Sequence, residues 1–311
     1  MDARAEIGNF GPVFATHNTN SPVTRPSSSP ARSCRFSLVT VTTDRLPLTE
    51  RLFRSLAAQT HRDFEILFVH GPACPEGARA LAEQFPRLDI RLFASRDHCL
   101  SRSRNLALPH VTGDVVAFPD DDCVYEPDTL ARCADAFLRS PRPDAVLGRT
   151  ADMDEDIIPT AASGFIPCAS LYALFRHSVS YAQFYAAGVV RAVGGFDEKL
   201  GVGCDTPDQS GEDTDYVFRA FEKNFAVVHA PFVVVRHPAV NPRDRALEAK
   251  VRAYANGRMR LLRKYRLPWW FVLANIAYPL SRIPGECLRA CRLVVKYRWD
   301  MFTARLGTLQ H

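Results

Sequence analysis

The sequence predicts an α/β protein with a mainly parallel central sheet flanked by helices. Two observations carry that reading. Apolar, β-branched runs of strand length alternate with segments of helical period. The 22 prolines and 16 glycines divide the 311 residues into many elements rather than a few long helices. A composition of 47% hydrophobic and 23% charged residues excludes a disordered, collagen-like or coiled-coil chain.

Residues 36–42, rich in Val and Thr and bounded by the turn-forming Asp44, read as the first strand. Leu48, Leu52, Phe53, Leu56 and Ala57 then recur at helical spacing, and the apolar run 64–69 completes a β-α-β unit. The pattern continues with a helix over 78–85, a strand over 90–93, a helix over 101–108 and a buried strand over 115–118. Such alternation implies parallel strands, and in open parallel sheets ligands bind beyond the carboxyl ends of the strands. Residues 1–33 are Pro/Ser-rich and polar, which predicts a flexible extension. Residues 34–240 then form the main α/β domain, within which 151–211 mixes loops, aromatic segments and Gly/Pro turns.

Charge is distributed unevenly. The whole chain carries only +5, too little to imply nucleic-acid binding, yet residues 241–311 hold 15 Lys/Arg against 4 Asp/Glu. This predicts a basic helical extension. Within it, Arg258, Arg260, Arg263, Lys264 and Arg266 precede an apolar stretch of 14 residues beginning with Leu267, Pro268, Trp269 and Trp270. A bilayer span needs about 20 residues, so the stretch is too short to cross. Basic residues beside paired tryptophans suit an anionic membrane surface, while helices packed on the main α/β domain account for them equally well. The nine cysteines are odd in number and contain no CxxC pair, which reads as reduced thiols in a cytoplasmic protein. Cys287 and Cys291 could share a helix face but lack further metal ligands nearby. No secretory signal is visible at the N-terminus.

Three features carry chemistry. Asp120, Asp121 and Asp122 follow the strand ending at Phe118, where a ligand is expected. No Lys or Arg adjoins them in sequence, so the simplest way to keep three carboxylates ionised is a hard divalent cation, Mg²⁺ or Mn²⁺; a solvated acidic turn is the plain alternative. A second acidic cluster, Glu212, Asp213 and Asp215, opens a segment of helical period, where carboxylates also serve as ordinary caps. His237 ends a β-rich run, where an imidazole could bind a metal or a phosphate.

Taken together these phrases resemble the glycosyltransferase family 2 of GT-A-fold sugar transferases. The resemblance runs through the opening strand 37–42, Leu56-Ala57-Ala58-Gln59-Thr60, Ser101-Arg102-Ser103-Arg104-Asn105, Gly113-Asp114 and on to Asp120-Asp121-Asp122, then Gly194-Gly195-Phe196-Asp197 and Gly211-Glu212-Asp213-Thr214-Asp215-Tyr216. It implies metal-dependent, inverting transfer of a sugar from a nucleotide-diphosphate donor to a hydroxyl of a saccharide or lipid-linked saccharide, as in cell-surface polysaccharide synthesis. In that correspondence Asp122 is the direct metal ligand, joined by Asp120 and His237, with Asp120 and Asp121 also touching ribose, sugar or a coordinated water. Asp213 is the general base and Glu212 helps to position it. Arg104 and Asn105 fall near the diphosphate and nucleotide, and Thr42 and Asp44 near the base. The family commonly has an Asp after its second strand, whereas this chain has His70-Gly71-Pro72, so a UDP-sugar is the default donor only. A catalytically degenerate nucleotide-sugar-binding or scaffolding protein is the alternative. A dinucleotide-binding oxidoreductase does not fit, because Thr42-Thr43-Asp44-Arg45 supplies no Gly-rich phosphate loop.

Overall fold

A computed structural model describes residues 34–157, 164–239, 247–283 and 292–308. The N-terminal extension expected over 1–33, and the pair Cys287 and Cys291, lie outside the described residues. Strand β1 (Phe36–Thr42) pairs in parallel with β2 (Phe64–His70) on one side and β4 (Val115–Ala117) on the other, and β3 (Asp89–Ala94) adds to β2. The order β3-β2-β1-β4 means that the chain winds outward from β1 and then crosses back to β4. That reversal opens a crevice at the carboxyl ends of β1 and β4.

Strands β1, β2 and β4 are buried on both faces, while β3 is the exposed edge, and the side chains divide by the two-residue period. Phe36, Leu38, Ile66 and Phe68 pack with Leu52, Phe53 and Leu56 of α1 (Leu46–Ala57), Leu81 of α2 (Pro75–Glu83), and Leu130 and Phe137 of α4 (Thr129–Leu138). Val39, Leu67 and Val116 face the other way. They pack with Ala107 of α3 (Leu100–Ala107), Val189 of α6 (Ala187–Val193), and Tyr216 and Phe218 of α7 (Glu212–Glu222). The expected strands and helices over 36–118 are therefore present.

Beyond β4 the sheet continues through β8 (Gln183–Ala186), β6 (Ala145–Ala151), β9 (Val227–Arg236) and β5 (Val124–Tyr125). Here β8 is antiparallel to both neighbours, β6 and β9 are parallel, and β5 and β7 (Ile166–Pro167) run antiparallel to β9. The ambiguous 151–211 stretch also holds α5 (Leu171–His177). The C-terminal helices α8 (Leu247–Lys264), α9 (Trp269–Ser281) and α10 (Arg292–Gly307) belong to the same compact unit as the sheet. Met259, Leu262 and Ile276 form their shared core, against Phe175 of α5.

One expectation is corrected. Cys99 and Cys204 form a disulfide across 105 residues, so the cysteines are not all reduced. An odd total and the lack of a CxxC pair speak only to local or framework pairing; this bond joins two distant loops, at the start of α3 and after α6. Cys34, Cys74, Cys123, Cys133 and Cys168 are free thiols.

A buried carboxylate ties the parallel strands together. Glu65 on β2 accepts hydrogen bonds from Ser37 Oγ (2.6 Å), Thr112 N (2.8 Å) and Thr112 Oγ1 (2.7 Å), and pairs with Arg91 at 3.3 Å. Burial opposes its charge, but these donors outweigh burial and hold its pKa below the ordinary 4.5. Its contribution is present above that value and is lost as pH falls through the lower, folded-state pKa. Glu65→Ala strands the Ser37 and Thr112 donors and is expected to cost about 1–3 kcal/mol in urea unfolding at pH 7. The cost should diminish below pH 4.

Candidate active site

The two acidic clusters meet in one cleft of about 860 Å³ at the crevice between β1 and β4. Asp120, Asp121, Asp122, Asp213, Arg45, Arg104 and His237 all line it. The chain leaving β4 runs on beside β1, where Asp120 forms an isolated parallel bridge with Val41. That extension aims the three successive carboxylates in different directions.

Asp121 turns inward. It is 1% exposed, accepts from Thr42 Oγ1 at 2.7 Å and pairs with Arg45. Burial pushes its pKa up to about 6, although Arg45 and Thr42 oppose this. Asp122 faces the cleft and pairs with Arg45 Nη1 at 2.9 Å and His237 Nε2 at 3.0 Å. Burial would raise its pKa, but the His237 hydrogen bond and charge, reinforced by Arg45, hold it at about 2. Asp120 accepts from Arg104 Nη2 at 2.9 Å and from Ser180 Oγ at 3.2 Å, and burial raises its pKa.

No Lys or Arg adjoins the Asp triplet along the chain, but in space Arg45, three residues beyond β1, and Arg104 on α3 both reach it. The case for a cation rests instead on the donor set. Asp120, Asp122 and His237 each offer one ligand atom, all within 4.8 Å of one another. His237 stacks on Tyr181, with ring centroids 4.5 Å apart, and donates Nδ1–H to the Pro238 carbonyl at 2.8 Å. With Nδ1 committed to that carbonyl, Nε2 is the nitrogen that faces Asp122; here it donates to the carboxylate, and on losing that proton it would present the lone pair a metal-binding imidazole requires. Two carboxylates and one imidazole are a donor set that fits a divalent cation.

Glu212 and Asp213 lie in the first turn of α7. Gly211 caps that turn with φ +92°, and a Cβ there would stand 2.6 Å from Leu261 Cδ1 of α8. The left-handed backbone favours glycine, and a Cβ would also have to displace the Leu261 side chain. Asp213 accepts from Thr214 N (2.6 Å) and Ser180 N (3.1 Å). Ser180 therefore touches Asp120 with its hydroxyl and Asp213 with its amide. Glu212 is buried behind the cleft wall and receives Arg104 Nη1 at 3.4 Å. Burial raises the pKa of both acids; for Glu212 the Asp213 charge raises it further, while Arg104 opposes the rise in each. The pair thus favours one neutral and one ionised carboxyl.

The remaining expected residues sit around this centre rather than in it. Thr42 holds Asp121 from below, and Asp44 is exposed beside Thr43. Asn105 is not among the cleft-lining residues: its amide binds the Phe196 backbone and Glu198, fixing the Gly194-Gly195-Phe196-Asp197 turn. His70 is buried and bonded to the Gly71 carbonyl. Sequence reasoning missed Arg45, Ser180, and Tyr254 and Arg258 of α8, which line or brace the cleft. Arg45 was legible as a cation just past β1; Ser180 gave no signal.

Residues 37–188 match the family described as glycosyl transferase family 2. The fold is GT-A-like. S. aureus TarS 1–349 is 16% identical with a TM-score of 0.54, covering 89% of this chain and 91% of that one. The mannosyltransferase PcManGT from Pyrobaculum calidifontis, solved in complex with GDP-Man and Mn²⁺, is 18% identical with a TM-score of 0.62, covering 91% of this chain and 89% of that one. TarS 1–349 in complex with UDP-GlcNAc is 16% identical with a TM-score of 0.51, covering 89% and 92%. No curated protein sequence matches the chain.

Arg104, 1% exposed, is the only contact-distance cation shared by Asp120 and Glu212 among the described residues. Arg104→Met should destabilise the protein by about 3–5 kcal/mol at pH 7, because the buried Glu212 and the half-buried Asp120 lose their shared partner. The deficit should shrink at pH 5, where Glu212, its pKa pushed up to about 7 by burial, is protonated. Guanidinium unfolding at the two pH values checks this.

Proposed function

We propose that the protein is an inverting glycosyltransferase that uses a nucleotide-diphosphate sugar, with Asp213 as general base. The observation that carries this reading is the meeting of Asp120, Asp122 and His237 with Asp213 in one cleft, Ser180 touching both sides. The PcManGT and TarS complexes with GDP-Man, UDP and UDP-GlcNAc support a donor of this class.

Asp120, Asp122 and His237 would hold Mn²⁺ or Mg²⁺, which when bound neutralises charge on the diphosphate. The acceptor oxygen attacks the anomeric carbon from the face opposite the leaving group. The bond from that carbon to the diphosphate oxygen breaks, and its electron pair leaves with the nucleoside diphosphate. Asp213 takes the acceptor proton as the new glycosidic bond forms. Its two backbone N–H bonds hold the carboxylate in place, and a neutral Glu212 beside it leaves the negative charge on Asp213. Arg104 locks both clusters in register.

Asp213→Asn should lower kcat at least ~10²-fold while leaving donor affinity within a few-fold, measured by product release and by titration calorimetry. Asp122→Ala should weaken metal-dependent nucleotide binding as well. Because burial raises the Asp213 pKa, wild-type kcat should fall on acidification at a higher pH than an ordinary Asp would dictate. Full activity in Asp213→Asn would remove the base assignment.

A lipid-linked acceptor at a membrane surface is the finer form of this proposal. Among the described residues no helix is long and apolar enough to cross a membrane. Yet α9 buries Asn275, Ile276 and Pro279 and exposes Trp269, Trp270, Leu273 and Tyr278 on its other side, between Arg266 and Arg282. Flotation with phosphatidylglycerol vesicles should recover the protein, and Trp269→Ser with Trp270→Ser should abolish recovery. Equal flotation of wild type and variant would reject the membrane-facing role of α9.

A further inference from the structure

The C-terminal helices build one wall of the cleft, and among the described residues none of the side chains they contribute is acidic. α8 supplies Lys250, Tyr254 and Arg258, and α10 supplies Tyr297 and Arg305. A single residue of α9 holds both arginines: Asn275 Oδ1 accepts Arg258 Nε at 3.1 Å, and the Asn275 carbonyl accepts Arg305 Nη1 at 2.5 Å. The Arg258 guanidinium also lies over the Phe175 ring, 4.3 Å from its centroid. Their bonds thus go to neutral groups, and neither arginine forms an ion pair among the described residues.

This arrangement is electrostatically uncomfortable. Burial, then repulsion from Arg305, lowers the Arg258 pKa to about 9, and burial lowers that of Arg305. Two like charges held together against a cleft are stabilised when an anion enters between them. The acidic clusters do not fill that role. Asp120, Asp122 and Glu212 already have Arg104, Arg45 and His237 at contact distance. The carboxylate whose field reaches Arg258 is Asp213, on the base side of the cleft rather than the Asp122 side.

We propose that Arg258 and Arg305 form an anion subsite for the acceptor, so that the hydroxyl facing Asp213 belongs to a molecule bearing a phosphate or carboxylate close by. The proposal rests on the reading of Asp213 as base, which decides that this end of the cleft receives the acceptor. Planar guanidinium forks suit either anion, and a phosphate or a uronate carboxylate supplies the same chemistry. The charge pattern also explains why a basic extension closes an acidic catalytic domain: one wall serves the donor and the other the acceptor.

The test is titration calorimetry on the full chain saturated with UDP and Mn²⁺, with glycerol 3-phosphate and glucuronate as probes and glycerol and glucose as their neutral counterparts. At least one anionic probe should bind about tenfold or more tightly than its neutral counterpart, and the probe that binds names the anion. Arg258→Gln should abolish that preference and Arg258→Lys should restore part of it, while both variants retain UDP and Mn²⁺ affinity as evidence of a folded donor site. Equal binding of anionic and neutral probes would overturn the proposal. So would displacement of the anionic probe by UDP and Mn²⁺, or an undiminished preference in Arg258→Gln. The underlying reading fails separately: Asp213→Asn with full transfer activity would remove the base without altering anion binding.

Discussion

One buried guanidinium joins the two halves of this site. Arg104 rises from α3 and binds Asp120, at the end of the parallel half of the sheet, and Glu212, in the first turn of α7. Without it, three or four carboxylates gathered beneath a cleft would repel one another and the helix carrying Asp213 would have no electrostatic reason to sit there. The aromatic rings of Phe118 and Phe196 flank Arg104, 5.8 and 5.3 Å from its central carbon, so the charge is enclosed on its remaining sides as well. Packing, charge and chemistry therefore depend on the same side chain.

The environment then differentiates acids that look identical in the sequence. Asp121 turns inward to Thr42 beneath the strand end while still lining the cleft, and Asp122 is held ionised by His237 and Arg45. At the second cluster Glu212 is buried and Asp213 reaches the cleft. Neighbouring positions diverge by about 100° around a helix turn and alternate sides along an extended strand end, so a run of acids becomes a set of separate tools.

Much of the fold was legible because β1 to β4 and their helices obey simple periods: Phe36, Leu38 and Val39 alternate between faces, and Leu52, Phe53 and Leu56 recur at helical spacing. The antiparallel strands β7 and β8 were not, since two to four residues each leave no period to read. The acidic clusters and His237 stood out by residue type. Their partners did not: Arg45 is 77 residues from Asp122 and Ser180 is 60 from Asp120, separations that only the folded sheet closes. The disulfide between Cys99 and Cys204 was invisible for the same reason. The C-terminal helices were expected as a basic extension, but their place as a wall of the cleft follows from packing of Leu261 against Gly211 and of the Met259 cluster against Phe175.

The central claim is that one end of a single cleft grips a cation and a diphosphate while the other presents a base. Anomalous diffraction from crystals grown with Mn²⁺ and UDP measures this directly. The account predicts one manganese peak bounded by Asp120, Asp122 and His237, with the diphosphate beside it and Asp213 left open across the cleft. A peak elsewhere, or a nucleotide covering Asp213, would contradict it.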